Sequence, residues 1–233
     1  MCSTEGYKMI YLTGDTHVPI DIHKLSMTNF PEQKELTKMD FVIICGDFGG
    51  IWNNSKEELY WREWLNDKNF TTLFVDGNHE NFDLLNSYEV KNFAGGKVHL
   101  VMDDIIHLMR GQVFEIDGIK FFTMGGANSI DKDRRIENRS WWKEEIPSYA
   151  EYEEALTNLK KNNWSVDYIL THTCSTSIMK KMDYIKEDSS LNIFFDLVDD
   201  QLQYKHWYFG HFHDDREIDD KHTLLYRKVI KLI

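Results

Sequence analysis

Two aspartates, one asparagine and five histidines of this 233-residue chain fall into short motifs in a fixed order. Asp15 and His17 stand in Gly14-Asp15-Thr16-His17, Asp47 in Gly46-Asp47, and Asn78 with His79 in Gly77-Asn78-His79-Glu80. His172 stands in Thr171-His172-Thr173, and His211 with His213 in Gly210-His211-Phe212-His213. Carboxylate, amide and imidazole groups are donors for divalent metal ions, and two such ions side by side suit in-line displacement at phosphorus. Asp15 and His17 are two apart, so at an extended strand end their side chains share a face and can grip one ion. His211 and His213 repeat that spacing. Asp47 follows its strand alone, and a single carboxylate can bridge two ions through its two oxygens. Asn78 adds a neutral amide oxygen. The mixed imidazole and oxygen set favours Mn²⁺, with Fe, Ni or Zn also suited, over Mg or Ca. Ions about 3.5–4 Å apart can share a water and lower its pKa from 15.7 towards about 7, so hydroxide serves as the nucleophile. His23, His99, His107, His206 and His222 read as structural or solvated.

The elements that must position these groups are legible as apolar runs. Met9–Leu12, Phe41–Ile44 and Thr72–Val75 lead into the first three motifs. Tyr168–Leu170 precedes His172, and His206–Phe209 precedes Gly210-His211. Runs this continuous suit strands covered on both faces, and ligands of open α/β sheets collect at the strands' carboxyl ends. Helical spacing is carried by Trp61, Trp64 and Leu65 within 56–66. A second stripe is formed by Tyr152, Ala155, Leu156 and Leu159 after Pro147-Ser148, and a third by Leu191, Phe194, Phe195, Val198 and Leu202. From Lys97 to Met124 the pattern changes to short alternating strands, with a hairpin at Asp117-Gly118. The C-terminus reads similarly: Arg216–Ile218, Thr223–Tyr226 and Val229-Ile230 as strands between polar turns. The chain thus predicts an α/β fold with two sheet halves and helices outside both. No repeat or linker interrupts it, so residues 1–233 read as one domain. Residues 127–146, with Asp131, Arg134, Arg135, Arg139, Trp141 and Trp142, form a long loop of the kind that is more often functional than idle.

Composition narrows the setting. The net charge of −12 would repel a long polyanion such as duplex nucleic acid, whereas two divalent ions would draw a small phosphate ester into a cleft. No run approaches a membrane span, and Met1–Lys8 shows no secretory signal. Cys2, Cys45 and Cys174 are too few and scattered for a disulfide framework, which predicts a reducing cytoplasm. Cys174, two residues past His172, reads as a small buried apolar group.

With these motifs the chain resembles the calcineurin-like metallophosphoesterases from residue 9 to about 230. The resemblance implies a four-layer α-β-β-α sandwich of two mixed sheets. It implies Asp15, His17, Asp47 and His213 around one ion, and a bridging Asp47 with Asn78, His172 and His211 around the other. It implies that His79 protonates the leaving oxygen or stabilises the transition state, with Asn78 and His79 also binding substrate. Gly125-Gly126-Ala127 through Ser129-Ile130-Asp131, Arg135 and Ser140-Trp141-Trp142 look like small bacterial and phage-encoded members. There Arg135 could clamp phosphate oxygens, or else belong to a solvated loop. Trp141 and Trp142 read as packing residues. The run Gly46-Asp47-Phe48-Gly49-Gly50-Ile51 departs from the protein phosphatases of the family. Gly50 replaces the aspartate that would orient the catalytic histidine, Ile51 replaces an arginine, and the glycines would let substrate approach the backbone.

The expected function is a cytoplasmic, dinuclear-metal phosphoesterase acting on a small monoester or diester, with no membrane and no extended nucleic-acid surface. A nuclease or cyclic-nucleotide phosphodiesterase, or a scaffold without catalysis, are the alternatives. The oligomeric state is left open.

Overall fold

The computed structural model describes residues 8–184 and 189–233. The N-terminal segment through Tyr7, with Cys2 and the expected absence of a signal, lies outside the described residues. Thirteen strands and five helices alternate along the described chain. They are β1 (Ile10–Thr13), β2 (Phe41–Cys45), α1 (Lys56–Asn66), β3 (Thr71–Val75), α2 (Phe82–Leu85), β4 (Val90–Phe93), β5 (Gly96–Met102), β6 (Ile105–Leu108), β7 (Gln112–Ile116) and β8 (Ile119–Met124). After a long loop come α3 (Tyr149–Lys161), β9 (Tyr168–Thr171), α4 (Thr176–Lys181), α5 (Ser190–Gln201), β10 (His206–Phe209), β11 (Arg216–Asp219), β12 (His222–Leu224) and β13 (Ile230–Lys231).

The strands form two mixed sheets, ordered β13-β1-β2-β3-β6-β5-β4 and β11-β12-β10-β9-β8-β7. In the first, β1, β2, β3 and β6 are parallel; in the second, β8, β9, β10 and β12 are parallel. Burial explains the continuous apolar runs. Leu12, Ile43, Leu73 and Val75 face Phe121 and Leu170 of the other sheet. Tyr11, Val42, Ile44 and Phe74 point outwards against Leu65 and Phe70. On the second sheet Ile169, Trp207 and Phe209 pack outwards against α3, α4 and α5. Helices flank both sheets, as an α-β-β-α sandwich requires. Ser148 begins α3 with a capping box: its hydroxyl accepts from Glu151 N–H and the Glu151 carboxylate accepts from Ser148 N–H.

One strand expectation is corrected, and the sheet membership of two segments, which the sequence left unassigned, is added. The 97–124 segment is divided between the sheets, because β5 and β6 extend the first sheet and only β7 and β8 open the second. The strand expected at Thr223–Tyr226 stops at Leu224. The Asp215 carboxylate accepts the N–H groups of Tyr226, Arg227 and Lys228, replacing ladder bonds with a turn. Val229-Ile230 does not belong with β11 and β12; the chain crosses over, and β13 pairs antiparallel with β1.

Candidate metal centre

Past Thr13, Cys45, Val75, Thr171 and Phe209 the chain leaves its strand, and every expected ligand lies within four residues of one of those ends. A turn, not strand alternation, aims several of them. His17, Asp47, His211 and His213 have φ of 35°, 44°, 73° and 52°. This corrects the idea that Asp15 with His17, and His211 with His213, converge along extended segments. Left-handed backbone at a non-glycine residue costs on the order of 1–3 kcal/mol and persists where the surroundings over-determine it. Here Thr16 N–H and His17 N–H both donate to the Asp47 carbonyl. His211 N–H donates to the Asp15 carboxylate at 2.9 Å, and His79 N–H to Asp47 Oδ1 at 2.8 Å. The motif glycines give room for these crossings. A Cβ on Gly46 would stand 2.1 Å from His172 Nδ1, and one on Gly77 would stand 2.0 Å from Asp47 Oδ1.

The side chains converge in groups that share members. Donor atoms of Asp15, His17 and His213 lie within 4.8 Å of one another, as do those of Asp47, His172 and His211. A third group joins His17, Asp47 and His79. His211 and His213 thus go to different groups rather than gripping one ion together. Asn78 joins the second group, its Oδ1 3.1 Å from His172 Nε2. His172 Nε2 is also 3.2 Å from Asp47 Oδ2 and 3.2 Å from His211 Nδ1. His172 Nδ1 is 3.2 Å from the Cys45 carbonyl, which can only accept. In the neutral ring Nε2 is therefore a lone pair facing two oxygen acceptors, an arrangement that a cation completes.

Charge makes the same point. Asp15 and Asp47 are 0% and 1% exposed. Burial alone would raise the Asp15 carboxyl, but the His213 hydrogen bond and the His172 charge hold it below the ordinary value. Asp47 is held lower still, burial being outweighed by His172 and His17. Burial would likewise depress His172, yet the Asp47 charge and hydrogen bond raise it to about 10. A pocket that draws a proton onto a fully buried imidazole is short of positive charge. The residues fit divalent ions.

The calcineurin-like phosphoesterase profile matches residues 8–215. The chain belongs to that family. No curated protein matches it closely enough to lend a substrate.

Other phosphoesterase residues lie behind the donor atoms. Asp21 Oδ2 sits 2.9 Å from His17 Nδ1, leaving Nε2 for the site. The Tyr226 ring stacks on His213 at 4.8 Å, and its hydroxyl donates to Asp21 Oδ1. Glu80 Oε1 accepts from Phe48 N–H and Gly49 N–H, fixing the turn after Asp47. Asn78 Nδ2 donates to Ser129 Oγ at 3.1 Å, which aims its Oδ1 at His172. Ser129 N–H in turn donates to the buried Glu145. The sequence pointed to Arg135 within the 127–146 loop, whereas Ser129 of that loop accepts a hydrogen bond from the expected ligand Asn78. Asp21 carried only a weak signal, a carboxylate one helical turn past a candidate ligand. Ser129 stood out only as part of the loop's motif, with no role attached, and Tyr226 carried no signal.

The His79 ring packs edge-on to His17 at 5.5 Å and, among the described residues, has no carboxylate hydrogen-bonded to it. Burial, with Arg135 and neighbouring imidazoles, lowers its pKa despite the Asp47 charge. An orienting aspartate cannot replace Gly50 on this backbone, since a Cβ there would stand 2.6 Å from the Phe48 ring. Gly50 therefore serves packing, while Gly49 does line the cleft. Arg135 is near enough for its charge to bear on His79, although Asp131 Oδ1 is 2.8 Å from its Nε. Trp142 is buried against Trp52, as a packing residue should be, and Trp141 lies under the Lys132 ammonium. His99 and His107 form a buried structural pair, with His107 bonded to Asp76. Cys45 and Cys174 are buried core residues.

A cleft of about 560 Å³ opens over His17, His79 and His213. A second cleft, of about 600 Å³, lies by β10 to β12 and contains no expected ligand. Among the described residues no helix is long and apolar enough to cross a membrane.

Proposed function

We propose that the whole chain, acting as one domain in the cytoplasm, is a dinuclear-metal phosphoesterase that hydrolyses a small phosphomonoester or phosphodiester. The observation that carries this is the set of three donor groups linked through their shared members His17 and the buried Asp47. In this reading Asp15, His17, Asp47 and His213 hold one ion, and Asp47, Asn78, His172 and His211 hold the other, with Mn²⁺ first and Fe, Ni or Zn as alternatives. When bound, the ions would neutralise phosphate charge and supply a nucleophile from water. Asn78 and His79 would meet the phosphate oxygens, with Arg135 behind them. His79, whose pKa burial lowers, would hold or pass the leaving-group proton at the cleft floor. The net charge of −12 favours a small substrate over an extended nucleic acid.

The test is hydrolysis of p-nitrophenyl phosphate and its bis-ester across a metal series. Turnover should require Mn²⁺ or a similar ion. Asp47→Asn should lower it by at least about a thousandfold, ~4 kcal/mol of barrier. Unchanged turnover in that variant removes the mechanism. Metal uptake without turnover of either ester would favour a scaffold.

A further inference from the structure

The cleft floor is accounted for by the three histidines; its walls are not. Val18, Pro19 and Ile20, directly after His17, line the cleft together with Trp52. Tyr226, stacked on His213, also lines it. Ile20 is 75% exposed beside the cleft, so its side chain is free to be covered by a ligand. Trp52 is held rather than loose: its ring packs edge-on to the buried Trp142, which donates to Asp83. Its own N–H and those of Asn53 and Asn54 are gathered by the Glu58 carboxylate. A held indole and an exposed aliphatic side chain thus line the same cleft as the histidines of the proposed reaction centre.

The charges around this cleft are one-sided. Asp21, Glu57 and Glu58 line it, and among the described residues no lysine or arginine does. A leaving group with a second phosphate or a carboxylate would meet no cation there and would face Asp21 and Glu57. A flat, uncharged ring would cover Trp52 and Ile20 and remove apolar surface from water.

We infer that the Val18–Ile20 and Trp52 walls form a leaving-group subsite, selecting phosphate esters whose alcohol carries a flat apolar ring and no second anionic group. This rests on the phosphoesterase reading, because the subsite is placed by the phosphate held at the floor. The chemistry is ordinary ester hydrolysis: water adds to phosphorus, the P–O bond to the alcohol breaks, and the ring leaves as the free alcohol.

The experiment compares monoesters and methyl diesters of 2-phenylethanol and n-propanol, whose leaving oxygens have similar basicity, together with propane-1,3-diol bisphosphate. In Mn²⁺-loaded protein the phenylethyl ester should exceed the propyl ester about tenfold in kcat/KM, and the bisphosphate should be the slowest. Trp52→Ala should reduce the phenylethyl to propyl ratio to about twofold, while Trp52→Phe retains it. Because Trp52 supports Trp142, Ile20→Ser gives a second reading on a side chain that faces solvent, with an expected drop in the ratio of about threefold. Equal rates for the two alcohols, a ratio unmoved by Trp52→Ala and Ile20→Ser, or a preference for the bisphosphate would each overturn the subsite and leave the phosphoesterase intact. Failure to hydrolyse any of the esters with any metal would overturn both.

Discussion

At one end of the site, Asn78 and His172 are 4% and 0% exposed, and every group behind them is also buried. Asn78 leans on Ser129, Ser129 on Glu145, and His172 on the Cys45 carbonyl. At the other end, His17 and His213 lean on Asp21 and Tyr226, both of which reach solvent beside the cleft. Both ends use imidazole and carboxylate, and they meet at Asp47. The difference teaches where each kind of work is done. The buried end has its geometry set by the protein interior and can hold charge with little water; the open end keeps room for an incoming ester. Substitutions at the shared residue should therefore cost most, those behind the buried end should cost stability or metal, and those behind the open end should cost least. The thousandfold loss expected for Asp47→Asn is the upper limit of that series.

Next in size is the ion pair under the buried end. Asp76 lies two residues before Asn78, is 1% exposed, and receives Arg110 Nε at 2.9 Å and His107 Nε2 at 3.0 Å. Arg110→Met leaves that carboxylate buried without its main partner, an expected loss of about 3–5 kcal/mol and about 10 °C in Tm. Burial would raise the Asp76 carboxyl, but Arg110 and His107 hold it below its unfolded value of 3.8. A depressed carboxyl contributes stability above its unfolded pKa and loses it as pH falls towards the folded one. Thermal melts of metal-free protein should accordingly show this contribution intact at pH 5 and fading below about pH 4. Asp76→Asn with Arg110→Met should flatten that decline. A single Arg110→Met melting within 1 °C or so of the parent would remove the distinction between the two ends.

How far these ends were legible in sequence follows the same division. The strands that carry the ligands, β1, β2, β3, β9 and β10, are covered on both faces and announce themselves as apolar runs. β4 does not: Val90, Lys91 and Asn92 are exposed at a sheet edge, so no burial pattern marks the strand. The short helices α2 and α4 are too brief for a 3.6-residue period to repeat. Donor types at strand ends could be read as ligands, but not the left-handed backbone that aims them. Spacing of two suggested strand alternation at Asp15 and His17, where the chain in fact turns at a φ of 35°. Supporting residues were hidden by distance along the chain. Ser129 is 51 residues from Asn78, and Tyr226 is 205 from Asp21. Gly50, read as an opening for substrate, is space for Phe48.

Behind the buried end, Ser129→Ala tests whether the loop aims Asn78. It removes the acceptor for Asn78 Nδ2 while leaving the cleft untouched, so the amide can rotate and present nitrogen in place of Oδ1. Partners behind a ligand typically contribute about 10–100-fold in metal affinity. Calorimetric Mn²⁺ titration should show the weaker of two binding events falling by about that factor, with the other little changed. Equal weakening of both events would mean that Ser129 supports the whole site, not its buried end.

The smallest effect is expected from Asp21→Asn at the open end. The amide can still accept from His17 Nδ1, and water in the cleft can replace the lost charge, so the ring keeps its orientation and loses only some donor strength. Turnover of p-nitrophenyl phosphate at saturating Mn²⁺ should fall by less than about tenfold. The apparent affinity for one ion should weaken slightly, and the melting temperature should stay near the parent's. Charge in the cleft gives the variant a second readout. With Asp21 neutralised, the channel beside Trp52 carries one less negative group, so an ester with a second phosphate should gain relative to the propyl ester. A loss larger than that of Ser129→Ala would reverse the comparison and make the open end the rigid one.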